Sequence, residues 1–253
     1  MRCSLEVVSG SNVGVLICSS DNRLDILDRV LPSVLKYWSD CPYPLYVGLN
    51  TKNKSWARVT SLEAEPSEWR TEALEQISQI RETNLIVILD DYLFLQPVDQ
   101  QRLAELVTRA TSLKMPYLRL LPLRRSLSQR LIRSRTRSTD GIQSIHSRRP
   151  FYSGLQISIW DKAHFVSLLK SPGSIWDFEH QQPGLPHFVI TDSPPITYRH
   201  LVEKGRWLPY AESLLRIAGL SHDLGSRPAW PAWMNMRLWM DEAKFLVLGY
   251  ANH

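Results

Sequence analysis

The sequence predicts an α/β protein built on a mostly parallel sheet flanked by helices, and three observations predict it. Val13 to Ser20, Leu45 to Leu49 and Leu85 to Leu89 are short apolar runs of the kind that strands covered on both faces require. Between the first two, Ile26, Leu27, Val30, Leu31, Val34, Leu35 and Trp38 recur at helical spacing, so strand, helix and strand follow one another as a crossover unit of a parallel sheet. The third run passes without a break into Asp90 and Asp91. Paired carboxylates therefore sit at a strand's C-terminal end, the edge where open α/β sheets bind ligands.

The 253 residues suffice for one large domain with a sizeable core, and 43% hydrophobic against 22% charged residues excludes a disordered chain. No apolar run approaches the roughly 20 residues that cross a bilayer, and the start MRCSLEVVSG lacks a basic, apolar leader, so a cytoplasmic location is expected. Cys3, Cys18 and Cys41 have no metal-ligand spacing and read as structural or incidental. The net charge of +5 is concentrated. Residues 121 to 149 hold eight arginines (124, 125, 130, 133, 135, 137, 148 and 149) and one acid, Asp140, for +7, which leaves −2 for the remainder.

Taken in order, Val13–Ser20 reads as the first strand and Asp25–Trp38 as a helix with an irregular start near Pro32. Leu45–Leu49 is a second strand after the turn CPYP, and residues 50–66 are a loop with a short strand near Val59. Ser67–Ile80 is a helix capped by Ser67, with Trp69, Ala73, Leu74, Ile77 and Ile80 as its buried stripe. After Asp91, Asp99 caps a helix to about Thr111 and Tyr117–Leu121 is a strand. Gly154–Trp160 alternates as a strand with one buried face, and Asp161–Lys170 is a short helix capped at its start and stopped by Pro172 and Gly173. Residues 183–200, with four prolines, read as loop plus a strand near Ile196–Arg199. Tyr210–Gly219 is a helix with a terminal glycine, and PAWPAWMNMRLWM packs as a closing helix or forms an association surface.

With DDYLF after a buried strand, SIWDFEH farther on and YRHLVEKGRW beyond, the chain from Val13 to about Trp207 resembles bacterial nucleotide-sugar glycosyltransferases of the GT-A fold, of the kind that build surface polysaccharides. The resemblance implies a GT-A-like, Rossmann-like single domain, a nucleotide-diphosphate sugar donor and a saccharide or glycolipid acceptor. The family's acidic motif is commonly D-x-D, whereas here Asp90-Asp91-Tyr92 has no acid in third place.

Asp90 and Asp91 read either as caps of the next turn or as holders of a metal and a diphosphate. A turn needs only one acid, and adjacent carboxylates repel unless a cation lies between them. Mn²⁺ or Mg²⁺ there would bridge two phosphates and act as a Lewis acid on the departing nucleoside diphosphate. Ser19, Ser20 and Asp21 lie where the resemblance places base and ribose, or form a plain polar turn. Arg70 either reaches phosphate or Asp90, or is a surface helix residue.

Inverting transfer needs one carboxylate to take the acceptor's proton. Asp177 and Glu179 are the candidates; the resemblance to the acid of inverting enzymes favours Glu179, while Asp177 alternatively caps a helix. Trp176 could stack on a sugar face or simply pack. By the resemblance His200 is a further metal or phosphate ligand, set against an ordinary surface or core histidine, and Lys204 and Arg206 could meet the diphosphate as a loop closes. The arginine-rich segment reads as a solvated loop, as a lid over diphosphate or acidic acceptor, or as a peripheral contact with the inner face of a membrane. It has no aromatics to stack bases, so nucleic acid is not an expected partner. A nucleotidyltransferase would use the same acids but wants a glycine-rich phosphate loop, which SSDNRLD lacks. A non-catalytic binding module is the remaining alternative.

Overall fold

The apolar runs form strands, and the strands one sheet. In the computed structural model, which describes residues 12–51, 54–123, 141–145, 153–181 and 184–248, β1 (Val13–Cys18), β2 (Leu45–Leu49), β3 (Val59–Glu63) and β4 (Asn84–Leu89) lie parallel in the order β3-β2-β1-β4. After the short β5 (Tyr92–Phe94), four more strands extend the sheet beyond β4: β6 (Tyr117–Arg119), β7 (Ile142–Ser144), β8 (Ser158–Asp161) and β9 (Phe188–Ile190), in the order β8-β6-β9-β7. β6 and β9 run with β1–β4; β7 and β8 run against them. This is the predicted α/β architecture, a mostly parallel sheet flanked by helices.

Helices α1 (Leu24–Tyr37) and α3 (Gln100–Ser112) cover one face, and α2 (Trp69–Ser78), α4 (Lys162–Leu169) and α5 (Ile175–His180) the other. The double cover explains why β4 is apolar without alternation. Ile86 and Ile88 enter the α1/α3 layer, Leu85 and Val87 the opposite one, and all four are fully buried. Each such side chain contributes about 1.5–3 kcal/mol relative to exposure.

Several expectations are corrected in detail. α2 begins at Trp69, not Ser67; Glu68 is its N-cap, and Ser67 donates its own N–H to Glu72 rather than capping. α1 runs through Pro32 unbroken, and the irregularity falls earlier, in a 3₁₀ turn at Asp21–Arg23. β8 is buried on both faces because it lies between β4 and β6, where a one-sided strand could not sit. β9 arises in the proline-rich stretch read as loop, and β7 inside the arginine-rich segment. All eight arginines of that segment lie outside the described residues. The caps expected of Asp99 and Asp161 are present: their carboxylates accept from the N–H of Arg102 and His164.

Two small antiparallel pairs stand on the C-terminal edge of β4. β5 pairs with β10 (Tyr198–His200), and β11 (Val202–Glu203) with β12 (Arg206–Trp207). Lys204 (φ 48°) and Gly205 (φ 73°) make the two-residue turn of that second hairpin, where positive φ at both positions suits the strand twist. A separate apolar cluster of Ile26, Val30, Leu93, Leu201, Trp207 and Leu215 fastens the pairs to α1 and to α6 (Ala211–Ile217). The tail is a helix, α7 (Trp233–Leu248), from which Met234 is buried while Trp239 is 71% exposed. No helix among the described residues is long and apolar enough to cross a membrane.

Candidate active site

Asp90 and Asp91 form the turn between β4 and β5. The register of β1 against β4 places Cys18 opposite Leu89, so the segment after β1 meets this turn side by side. The consequence is an ion pair that joins residues far apart in sequence. Arg23, last in the 3₁₀ turn, donates from Nε and Nη2 to Oδ2 and Oδ1 of Asp90 at 2.6 Å each, and Ser19 Oγ donates to Oδ2 at 2.7 Å. Asp90 is only 1% exposed, and both of its oxygens are engaged.

Asp91 is buried as well. Its carbonyl accepts from Leu201 N–H at 3.0 Å and its carboxylate from the backbone of Val202. Burial, then the neighbouring charge of Asp90, push the Asp91 carboxyl up to about 7, against the opposing pull of Arg23 and the backbone donors. The Cys18 thiol beside them is pushed up to about 12 by burial and by Asp90, so it stays protonated and is no nucleophile.

Asp21 is engaged by the loop that follows β2. Its carboxylate accepts from the N–H groups of Asn50 and Thr51 and from Thr51 Oγ1, and its own N–H donates to Asn50 Oδ1 at 3.1 Å. Burial works to raise its pKa, but these hydrogen bonds hold it below the usual value. The loops after β1 and β2 are thereby locked together. Ser20 Oγ donates to Asn22.

On the other side of the turn, Tyr92 stacks on Tyr198 with centroids 4.3 Å apart. Tyr92 Oη donates to the carbonyl of Leu155, and the N–H of Leu155 donates to Glu179 Oε1 at 2.9 Å. Glu179 is therefore brought to the same sheet edge as the acid turn, with Tyr92 feeling the charges of both Asp91 and Glu179. Burial pushes Glu179 up, while the Leu155 N–H and the charge of Arg119 pull it down; burial prevails. Arg119, 6% exposed at the end of β6, donates from Nε to Tyr117 Oη at 3.3 Å.

Asp177 is removed from this group. It forms a capping box with Ser174, whose N–H and Oγ both reach Asp177 Oδ2 at 2.6 Å, and it lies at the surface. Trp176 is 52% exposed, at the i−3 position from Glu179 on α5. His200 is exposed and lies opposite Tyr92 in the β5–β10 pair. Lys204 is exposed at the hairpin turn, and Arg206 lies over the Trp230 ring at 5.1 Å.

Arg70 is corrected too. Its guanidinium donates to the carbonyls of Gly173 (2.7 Å), Leu168 (3.0 Å), Ser174 (3.2 Å) and Ser171, and it lies over the rings of Trp69 and Phe178. It is 4% exposed and closes the C-terminal end of α4, where helix carbonyls lack partners, so it is a structural clamp rather than a phosphate ligand. Arg70→Ala is expected to lower unfolding stability by about 3 kcal/mol, with Arg70→Lys recovering little because one ammonium cannot reach all four carbonyls. Urea melts of the two variants check this; a loss under about 0.5 kcal/mol would show that the carbonyls find other partners.

The side chains present do not fit a bound divalent ion. Both oxygens of Asp90 are engaged by a guanidinium and a hydroxyl, and Asp91 is held by backbone N–H groups. Among the described residues no group of three metal-ligating side chains forms. A cavity lined by Arg109, Met115, Ile142 and Phe188 lies at the β7–β9 end of the sheet and holds none of the candidate residues.

Sequence reasoning missed Arg23, Arg119, Asn50 and Tyr198. Arg119 carries one legible signal, a charged residue at the C-terminal end of a buried strand, akin to the one that marks Asp90, whereas Arg23 lies farther on in the 3₁₀ turn beyond β1.

No protein-family model matches the chain, and no curated protein matches it. Solved structures with a similar course include 4-diphosphocytidyl-2C-methyl-D-erythritol synthase (TM-score 0.48, 13% identity, 81% of this chain and 97% of that one). The 2-C-methyl-D-erythritol 4-phosphate cytidylyltransferase of Thermus thermophilus aligns at TM-score 0.47 and 12% identity, over 81% and 96%. TarS 1-349 of S. aureus, solved in complex with UDP-GlcNAc, aligns at TM-score 0.49 and 12% identity, over 77% of this chain and 60% of that one.

Proposed function

We propose that the chain is a glycosyltransferase that takes a nucleotide-diphosphate sugar at the C-terminal edge of its sheet. The observation that carries this reading is the convergence, at that edge, of the Asp90–Asp91 turn with its cation and of a partly buried carboxylate, Glu179, across Tyr92. The loops after β1 and β2, fastened by Asp21, supply the floor beside the turn on which base and ribose would rest.

In the proposed reaction Glu179 accepts the proton of the acceptor hydroxyl as that oxygen bonds to the anomeric carbon. The bond from that carbon to the β-phosphate oxygen breaks on the opposite side, and its electron pair leaves with the nucleoside diphosphate, giving inversion. The raised pKa of Glu179 suits a base, since it strengthens the carboxylate's hold on the incoming proton. Exposed Trp176, one turn before Glu179, gives a saccharide acceptor a face to stack on. A glycolipid acceptor would present the same sugar hydroxyl.

The test is a thermal-shift series with UDP, GDP, CDP, ADP and dTDP, followed by incubation with the matching nucleotide sugars. One diphosphate is expected to raise Tm by several degrees at a concentration about 100 times its Kd, and its sugar conjugate to release that diphosphate when an acceptor is added. Pyrophosphate release from a nucleoside triphosphate would instead establish a nucleotidyltransferase. Indifference to every nucleotide would leave only the binding-module reading.

A further inference from the structure

We propose that the guanidinium of Arg23 takes the part of a divalent cation at this site, holding Asp90 with one edge and the donor's diphosphate with the other, so that donor binding needs no metal. The inference rests on reading the sheet edge as the donor site.

The geometry assigns the role by elimination among Arg23's own donors. An arginine carries five N–H groups in a planar fork, and Asp90 takes one from Nε and one from Nη2. Nη1 makes no hydrogen bond within the described residues. The Arg23 side chain is 33% exposed while that of Asp90 is 2% exposed, so the pair presents its cationic end outward and hides its anionic end. Ser19 fixes the far side of Asp90, which leaves the carboxylate little freedom to swing towards an ion. A divalent cation entering here would have to displace the fork from both Asp90 oxygens and would then face the displaced guanidinium across a few ångströms, a repulsion that partial burial strengthens. An anion meets the opposite balance. Charge-assisted N–H donors, already held in place by Asp90, face outward at the edge where a pyrophosphate would lie.

The test measures two ligands on three proteins. The diphosphate panel above is titrated calorimetrically into the parent chain, Arg23→Met and Arg23→Lys, with excess EDTA or with Mn²⁺, and Mn²⁺ alone is titrated while its free form is followed by electron paramagnetic resonance. The parent is expected to bind its nucleotide with the same Kd in both buffers and to take up no Mn²⁺ by itself. Arg23→Met is expected to lose roughly 10- to 100-fold of nucleotide affinity in EDTA and, with Asp90 and Asp91 uncovered, to acquire Mn²⁺ binding that restores part of the loss. Arg23→Lys keeps a cation opposite Asp90 and so guards against a folding failure. It is expected to lose severalfold in EDTA without gaining Mn²⁺, because an ammonium cannot span both partners as the fork does. Nucleotide binding to the parent only with Mn²⁺ would overturn the inference and leave the glycosyltransferase reading standing, as would unchanged affinity of both variants in EDTA. Failure of every nucleotide to bind the parent in either buffer would overturn the donor-site reading and the inference with it.

Discussion

Glu179→Gln is expected to lower turnover by roughly 10²- to 10⁴-fold while leaving nucleotide affinity within about a factor of two. The amide keeps the shape of the side chain and its carbonyl oxygen still accepts from Leu155 N–H, so the local fold has no reason to change. What it loses is the capacity to take a proton. Steady-state rates and nucleotide titrations on the same sample separate the two. Retained turnover would mean that no base acts at this position, as in transfer with retention of configuration. Asp177→Asn is the matching control: its exposed carboxylate is spent on the Ser174 cap, so the change should leave the rate alone.

The second large effect concerns stability and runs against intuition. Asp91 carries a folded-state pKa of about 7 against an ordinary value of 3.8. The folded protein therefore holds that proton more tightly than the unfolded chain does. The stabilisation is fully present below pH 3.8 and is lost as pH rises through about 7, beyond which the protein carries a buried, ionised group at a net cost. Asp91→Asn abolishes the titration while keeping the shape. It should match the parent near pH 4 and exceed it in stability by about 2–4 kcal/mol above pH 7, a difference that urea melts at several pH values would read directly. Parallel stability curves for parent and variant would show that Asp91 takes up its proton at the same pH in the folded and unfolded chain. A natural sequence that keeps so costly a carboxylate gains something other than stability from it.

The fold was legible wherever burial imposed a pattern. β1, β2 and β4 are apolar throughout because helices cover both faces, and α1 and α3 show their inward stripes plainly. β9 was not legible, since three residues among prolines give no period, and only its pairing with β6 and β7 makes it a strand. The site was half legible. Asp90 and Asp91 announced themselves by following a buried run, whereas Asp177, read as a helix cap, is the third residue of a helix whose cap is Ser174. Direction was the missing quantity: nothing in a helix's first turn tells that Arg70 turns inward to four carbonyls instead of outward to a ligand. Pairing at long range was missing as well, because Arg23 meets Asp90 only through the register of β1 on β4.

The pairing of β5 with β10 ties the acid turn to a late part of the chain. Leu201 and Val202 supply backbone donors to Asp91, and Arg227 reaches back to Asp25 and to the carbonyls of Asn22 and Gly205. On the ribosome the parallel half of the sheet can be complete long before these residues emerge. The nascent protein thus holds Asp90 early, through Ser19 and Arg23, but carries Asp91 without the backbone donors that position it until after β9 has been made.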